Sequence, residues 1–178
     1  MVFFLFTGCT KNSSHMSKAL TMREKLIQAN CCSFDVKIVA DYEDYLYTFD
    51  LQCEFKQSSD LFFTVVAPES IKGLSGIISS DGGKLTFDKE VLAFPTLADG
   101  QISPVSAPWV FINTLKSGYI RACGMDNNGY LLTIDDSYQE NALQLDILTD
   151  HNFTPIQADI LWQGRRILAL TISNYHLS

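Results

Sequence analysis

Three histidines offer the first candidates for chemistry. His15 lies in a polar N-terminal stretch, His151 in a turn-like segment and His176 next to the C-terminus. None has a cysteine or carboxylate at a recognised metal-ligand spacing, and no H-E-x-x-H occurs. A serine nucleophile fares no better. Gly73-Leu74-Ser75-Gly76 comes nearest to the G-x-S-x-G elbow and lacks its spacing. The five cysteines include no C-x-x-C pair, so a zinc site lacks its usual signature. Adjacent Cys31 and Cys32 cannot easily bond each other; with Cys53 and Cys123 they read as free buried thiols or as a set holding one bridge. Asp126-Asn127-Asn128-Gly129 has the composition of a calcium loop without its alternating ligands or terminal Glu, and a hairpin turn explains it better. These residues point to a non-enzymatic protein with no metal and no cofactor.

Composition narrows the partners. Of 178 residues, 13 are basic and 20 acidic, for a net charge of -7. A phosphate-backbone binder needs the opposite sign, so no nucleic acid partner is expected. Hydrophobic residues reach 47% and aromatics 12%, while charged residues are only 19%. Such a chain can fold around a core of its own. No apolar run is long enough to cross a bilayer as a helix. The surplus of apolar side chains is what needs explaining.

Periodicity shows where that surplus falls. Ala19, Met22 and Leu26 make a helical stripe over Ser17 to Ile27, with Ser17 as N-cap and Asn30 as stop. From Phe34 the period becomes two. Phe34, Val36, Ile38 and Ala40 alternate with other residues, and so do Tyr45, Tyr47, Phe49, Leu51, Cys53 and Phe55. The acidic group Asp41, Glu43 and Asp44 reads as the solvated connection between these two runs. A third strand, Leu61 to Ala67, is stopped by Pro68. Asp81-Gly82-Gly83, Asn127-Asn128-Gly129 and Gln163-Gly164 mark hairpins. Arg165-Arg166, after the last of them, suggests a sheet edge guarded by charge.

One helix interrupts the strands. In Ser106 to Gly118 a Ser stands at the N-cap, Pro108 in the first turn and Gly118 just past the end. Its interior, Trp109 to Ile112 plus Leu115, is apolar nearly all round, so it must be covered on more than one side. About ten strands in hairpin order with two helices predict a mainly β (α+β) fold built on a single strongly curved antiparallel sheet, since a sheet this large and apolar must curl over or be plugged.

The opening residues, Met-Val-Phe-Phe-Leu-Phe-Thr-Gly-Cys, followed by Thr10-Lys-Asn-Ser-Ser14, resemble the lipobox and tether of bacterial lipoproteins. That resemblance implies cleavage after Gly8 and a diacylglycerol on Cys9, although Phe6 stands where the lipobox favours Leu and the basic n-region is missing. Residues 1–16 are then a signal remnant and tether, and residues 17–178 the folded domain. Over Ser17 to Leu177 the order of elements is similar to the LolA/LolB-like superfamily of lipoprotein carriers and its Gram-positive, GerS-like relatives. The strand that ends at Pro68 in Phe63-Thr-Val-Val-Ala-Pro-Glu-Ser-Ile-Lys-Gly73 and the element Asp81-Gly-Gly-Lys-Leu-Thr-Phe87 carry the likeness.

The resemblance implies an incomplete β-barrel with the N-terminal helix and the inserted helix at its mouth, and an apolar cavity between them. Trp109, Phe111 and Ile112 are the candidates for its lid, and Tyr47, Phe49, Leu51, Phe63 and Val65 for its wall. The same residues would serve equally as a dry core. The expected function is that of a membrane-anchored, extracytoplasmic lipoprotein binding a lipid or acyl chain. The alternative is a lipoprotein that docks or stabilises a protein partner such as a cell-wall or spore-cortex hydrolase.

Overall fold

The computed structural model describes residues 11–42, 45–87, 90–94, 97–98 and 101–178. Cys9 and the residues before it lie outside the described residues, as does the 43–44 connection. Helix α1 spans Lys11–Gln28. The strands that follow are β1 (Cys31–Tyr42), β2 (Tyr45–Lys56), β3 (Leu61–Ala67), β4 (Ser75–Ser79), β5 (Gly82–Phe87) and β6 (Glu90–Phe94). A short pair, β7 (Leu97–Ala98) and β8 (Gln101–Ile102), leads into helix α2 (Ala107–Ser117). Then come β9 (Tyr119–Asp126), β10 (Gly129–Asp135), β11 (Leu143–Thr149), β12 (Pro155–Trp162) and β13 (Arg165–Leu177).

Eleven of these strands form one antiparallel sheet in the order β6-β5-β4-β3-β2-β1-β13-β12-β11-β10-β9, and it is not closed. The chain therefore starts in the middle, works outward by hairpins to one edge and crosses to the other. It then returns by hairpins until its last strand lies beside its first. The crossing is the segment that contains α2. Helix α2 touches β2 in one half of the sheet and β10 and β12 in the other. The sheet must curl around it for that to happen. This is the physical reason why the helix is apolar on nearly every side: Ala107, Val110, Phe111, Ile112 and Leu115 are all buried.

The strand periodicity reads through into packing. Phe34, Val36, Ile38 and Ala40 on β1 and Leu51, Cys53 and Phe55 on β2 face the core. Leu61, Phe63 and Val65 continue the same face onto β3. The Gln163-Gly164 hairpin has positive φ at both turn residues, 49° and 78°, the conformation expected of a two-residue turn that matches sheet twist.

Three expectations are corrected. Helix α1 begins at Lys11, six residues before Ser17. The extra turn is held from outside, by the His15 ring edge-on to Tyr130 with centroids 5.2 Å apart and by Met16 packed on the core. Ser106 supplies no capping hydrogen bond. A 3-10 turn over Pro104–Ser106 leads into the helix, which puts Ser106 at φ -84°, ψ -14° instead of the extended N-cap conformation. Finally, Arg165 and Arg166 do not guard an edge. Strand β13 lies between β1 and β12, and the two arginines pair with Asp41 at 3.8 Å and Asp159 at 3.5 Å.

Candidate functional site

Seven of the eight apolar candidates divide into two groups along the inner face, and Trp109 stands apart from both. Leu51, Phe63, Val65, Phe111 and Ile112 are each between 0% and 3% exposed and belong to one packed hydrophobic core. Register explains how the wall residues meet: Leu51 pairs with Val36 on one side and Val65 on the other, and Phe63 lies opposite Cys53. Phe63 is also why position 76 is glycine. A Cβ there would come within 2.6 Å of both the Phe63 ring and the Lys84 carbonyl oxygen. From the helix side, Phe111 meets Phe34 edge-to-face with centroids 5.9 Å apart.

Tyr47 and Phe49 form the second group. They carry the inward-facing row of β2 beyond the packed part, their rings stacked with centroids 6.5 Å apart. Phe49 is half-buried, whereas Tyr47 is 46% exposed and its neighbour Leu46 70% exposed. Trp109 is half-buried as well. Its indole Nε1 donates to the Ser59 carbonyl at 3.0 Å, which ties the start of α2 to the β2–β3 turn. At the other end of α2 the Lys116 ammonium sits 4.9 Å from the Phe55 ring centroid. The lid candidates are thus fastened to the sheet by specific contacts at both ends of the helix.

The opposite face carries a groove that strand alternation alone does not announce. It is about 520 Å³, and Ser33, Gln52, Glu54, Phe62, Thr64 and Ile77 contribute to it. Phe62 is 37% exposed, pairs with Ile77 across β3–β4 and is covered by the Lys56 ammonium at 4.4 Å. A signal was present in the sequence. Phe62 breaks the alternation of β3, where a polar residue belongs on the solvent side.

The described cysteines are free: Cys32, Cys53 and Cys123 are buried and Cys31 is half-buried. Burial pushes the Cys32 thiol up to about 12, the Tyr175 hydroxyl pulling weakly the other way, and burial raises Cys53 well above its ordinary value. Cys31 and Cys123 are raised by the same cause. Reactivity follows the thiolate. Iodoacetamide at pH 8 should leave Cys32 and Cys53 unmodified in the folded protein and label both in urea, read by peptide mass spectrometry. The linkage has a definite sign. The folded state holds these protons more tightly than the unfolded chain does, so stability falls as pH rises from about 9 toward about 12.

Among the described residues no group of three or more His, Cys, Asp or Glu side chains could hold a metal ion. His151 and His176 are exposed and His15 packs on Tyr130. Asp126 accepts from the Asn127 N–H within the hairpin turn.

No protein-family model matches the chain, and no curated protein does. The solved structures do. A lipoprotein-sorting protein domain from Vibrio parahaemolyticus superposes with a TM-score of 0.50 at 9% identity, covering 90% of this chain and 91% of its own. A LolA superfamily protein from Nitrosomonas europaea gives 0.47 at 12%, covering 90% and 93%. The complex of the CwlD amidase with the GerS lipoprotein from Clostridioides difficile gives 0.44 at 12%, covering 97% and 99%. In fold, an open antiparallel sheet curled around an inserted helix, the chain is similar to the Vibrio domain.

Proposed function

We propose that this protein is a non-enzymatic, extracytoplasmic lipoprotein, held to the membrane through a lipid on Cys9, that receives an apolar ligand such as an acyl chain at the Tyr47–Phe49 end of its half-barrel. One observation carries the reading. The inward-facing apolar row of β2 continues past the side chains that α2 covers, and two of its members there, Tyr47 and Phe49, are aromatic, stacked and partly exposed. Leu51, Phe63, Val65, Phe111 and Ile112 form the packed floor beneath them, and Trp109 fixes the helix against the β2–β3 turn. Each acyl CH₂ buried there would contribute about 0.8 kcal/mol, with no polar chemistry required. The shared fold supports the reading.

The test is native mass spectrometry on protein purified from membranes. A bound lipid is expected, and Tyr47→Asp should weaken binding of a fluorescent fatty acid about tenfold, because it places a charge on the apolar row. Absence of lipid together with an indifferent Tyr47→Asp would refute the ligand. Anchoring is checked separately. Incorporation of an alkyne-tagged fatty acid should vanish in Cys9→Ala.

A second reading rests on the outer-face groove. Phe62 and Ile77 make an apolar spot on the side of the sheet away from the helices, as a lipoprotein that docks a cell-wall or spore-cortex hydrolase would need. Under this reading Phe62→Glu releases a co-purifying hydrolase and leaves fatty-acid binding unchanged. The two readings therefore separate on opposite faces of one sheet.

A further inference from the structure

A pocket of about 660 Å³ lies where α1, the end of α2, the start of β9 and the β10–β11 connection meet. Its lining combines two kinds of chemistry. Met16, Leu20 and Ile120 are apolar, and Tyr119 and Tyr138 stand at its rim with ring centroids 5.4 Å apart, Tyr138 being 88% exposed. Between them lies Arg23. Its Nε donates to the Leu115 carbonyl in the last turn of α2 at 2.8 Å, while its Nη2 is buried with no hydrogen-bond partner. Among the described residues no carboxylate forms an ion pair with it. Desolvation alone acts on the guanidinium, lowering its affinity for the proton.

This arrangement is costly as it stands. A buried guanidinium nitrogen without an acceptor loses its hydration and regains nothing. Asp136, which lines the same pocket, accepts the Leu143 N–H at 2.9 Å and forms no ion pair with Arg23. The helix end satisfies the Nε–H and holds the side chain in place, and Nη2 is closed off from solvent without an acceptor. A guanidinium held in this way at a pocket wall can donate to an oxygen of a carboxylate or phosphate that enters the pocket. The apolar and aromatic walls around it suit a ligand whose charged group is attached to an apolar body.

We infer that this pocket is a binding site for an oxyanion-bearing amphiphile, with Arg23 holding the carboxylate or phosphate and Leu20, Ile120, Tyr119 and Tyr138 covering the apolar part. The site is separate from the Tyr47–Phe49 end and does not depend on the function proposed there. Its ligand could be a lipid headgroup with its chain or a free phosphorylated molecule, and both share the oxyanion.

The experiment is calorimetric titration with dodecyl phosphate below its micelle concentration, with inorganic phosphate and neutral dodecyl maltoside alongside. Dodecyl phosphate is expected to bind. Arg23→Met should weaken it about tenfold or more, and Arg23→Lys should retain part of the affinity, while the weaker binding of dodecyl maltoside is unchanged in both Arg23 variants. Binding of inorganic phosphate alone would identify a free anion as the ligand source, and a requirement for the chain would identify a headgroup. Tyr138→Ala, on an exposed ring, tests the apolar wall should Arg23→Met fail to fold, and it too should weaken dodecyl phosphate. The proposal is overturned if dodecyl phosphate binds no better than the neutral detergent, or if neither variant changes its affinity.

Discussion

Phe111→Ala is expected to destabilise the protein by about 3–5 kcal/mol, the usual range for emptying a fully buried aromatic site. The ring is 0% exposed and sits edge-to-face on Phe34. Neighbouring Ile112 and Leu115 are also 0% exposed, so little can shift inward to fill the space. Helix α2 also bridges the two halves of the sheet. A cavity at its centre therefore loosens both walls at once. Urea unfolding should show the midpoint falling with little change in slope, and melting about 10 °C lower. The measurement bears on function as well. A helix that lifts as a ligand lid would tolerate the truncation, and a loss under about 1 kcal/mol would mean that α2 does not hold the two halves of the sheet together.

How much of this was legible beforehand depends on the range over which each feature is encoded. The alternation of Phe34 to Ala40 and Leu51 to Phe55 is local, and it marked the buried face of β1 and β2. The punctuation of α2 by Pro108 and Gly118 is local too, and it placed the helix to within a residue. Sheet order is another matter. The pairing of Cys32 with Leu177 joins residues at opposite ends of the chain, and no local pattern announces it. That is why Arg165 and Arg166 read as an edge when β13 is interior. Strand β9 carries no clean alternation because a register shift against β10 breaks its period.

The sites follow the same rule. The apolar candidates could be named from strand and helix faces, yet which of them pack together and which remain exposed depends on where α2 crosses. Tyr47 and Leu51 share one face of one strand and differ only in what lies over them. Arg23 left no trace in the sequence. It reads as an ordinary charged residue on the solvated side of a helix, and only the approach of the end of α2 shows that its outer nitrogen lacks a partner.

Gly129→Ala should be at least as damaging as Phe111→Ala, for a backbone reason. Gly129 opens β10 with φ at 151°, a region that residues with a Cβ rarely adopt. A Cβ at that position would be driven onto the Thr149 carbonyl oxygen and within 3 Å of the Asp150 carbonyl carbon, at 2.9 Å. Neither is the flexible tip of a side chain, so the strands themselves must part. What lies there is a tightly organised corner. Thr149 Oγ1 donates to the Tyr130 carbonyl at 3.3 Å, and Asp150 Oδ1 accepts from the Asn152 and Thr154 N–H groups, each at 2.8 Å. Tyr130 stacks on Phe153 at 4.1 Å and receives His15 on its edge. Separating β10 from β11 therefore also releases the first turns of α1. A loss of about 4 kcal/mol or more is expected, with proteolytic cleavage within residues 150–154 as its local signature. Gly124→Ala is the control: a Cβ there meets nothing within 4 Å, and its effect should stay within about 0.5 kcal/mol. Equal stability of the two variants would show that the β10–β11 corner yields more readily than its hydrogen bonds imply.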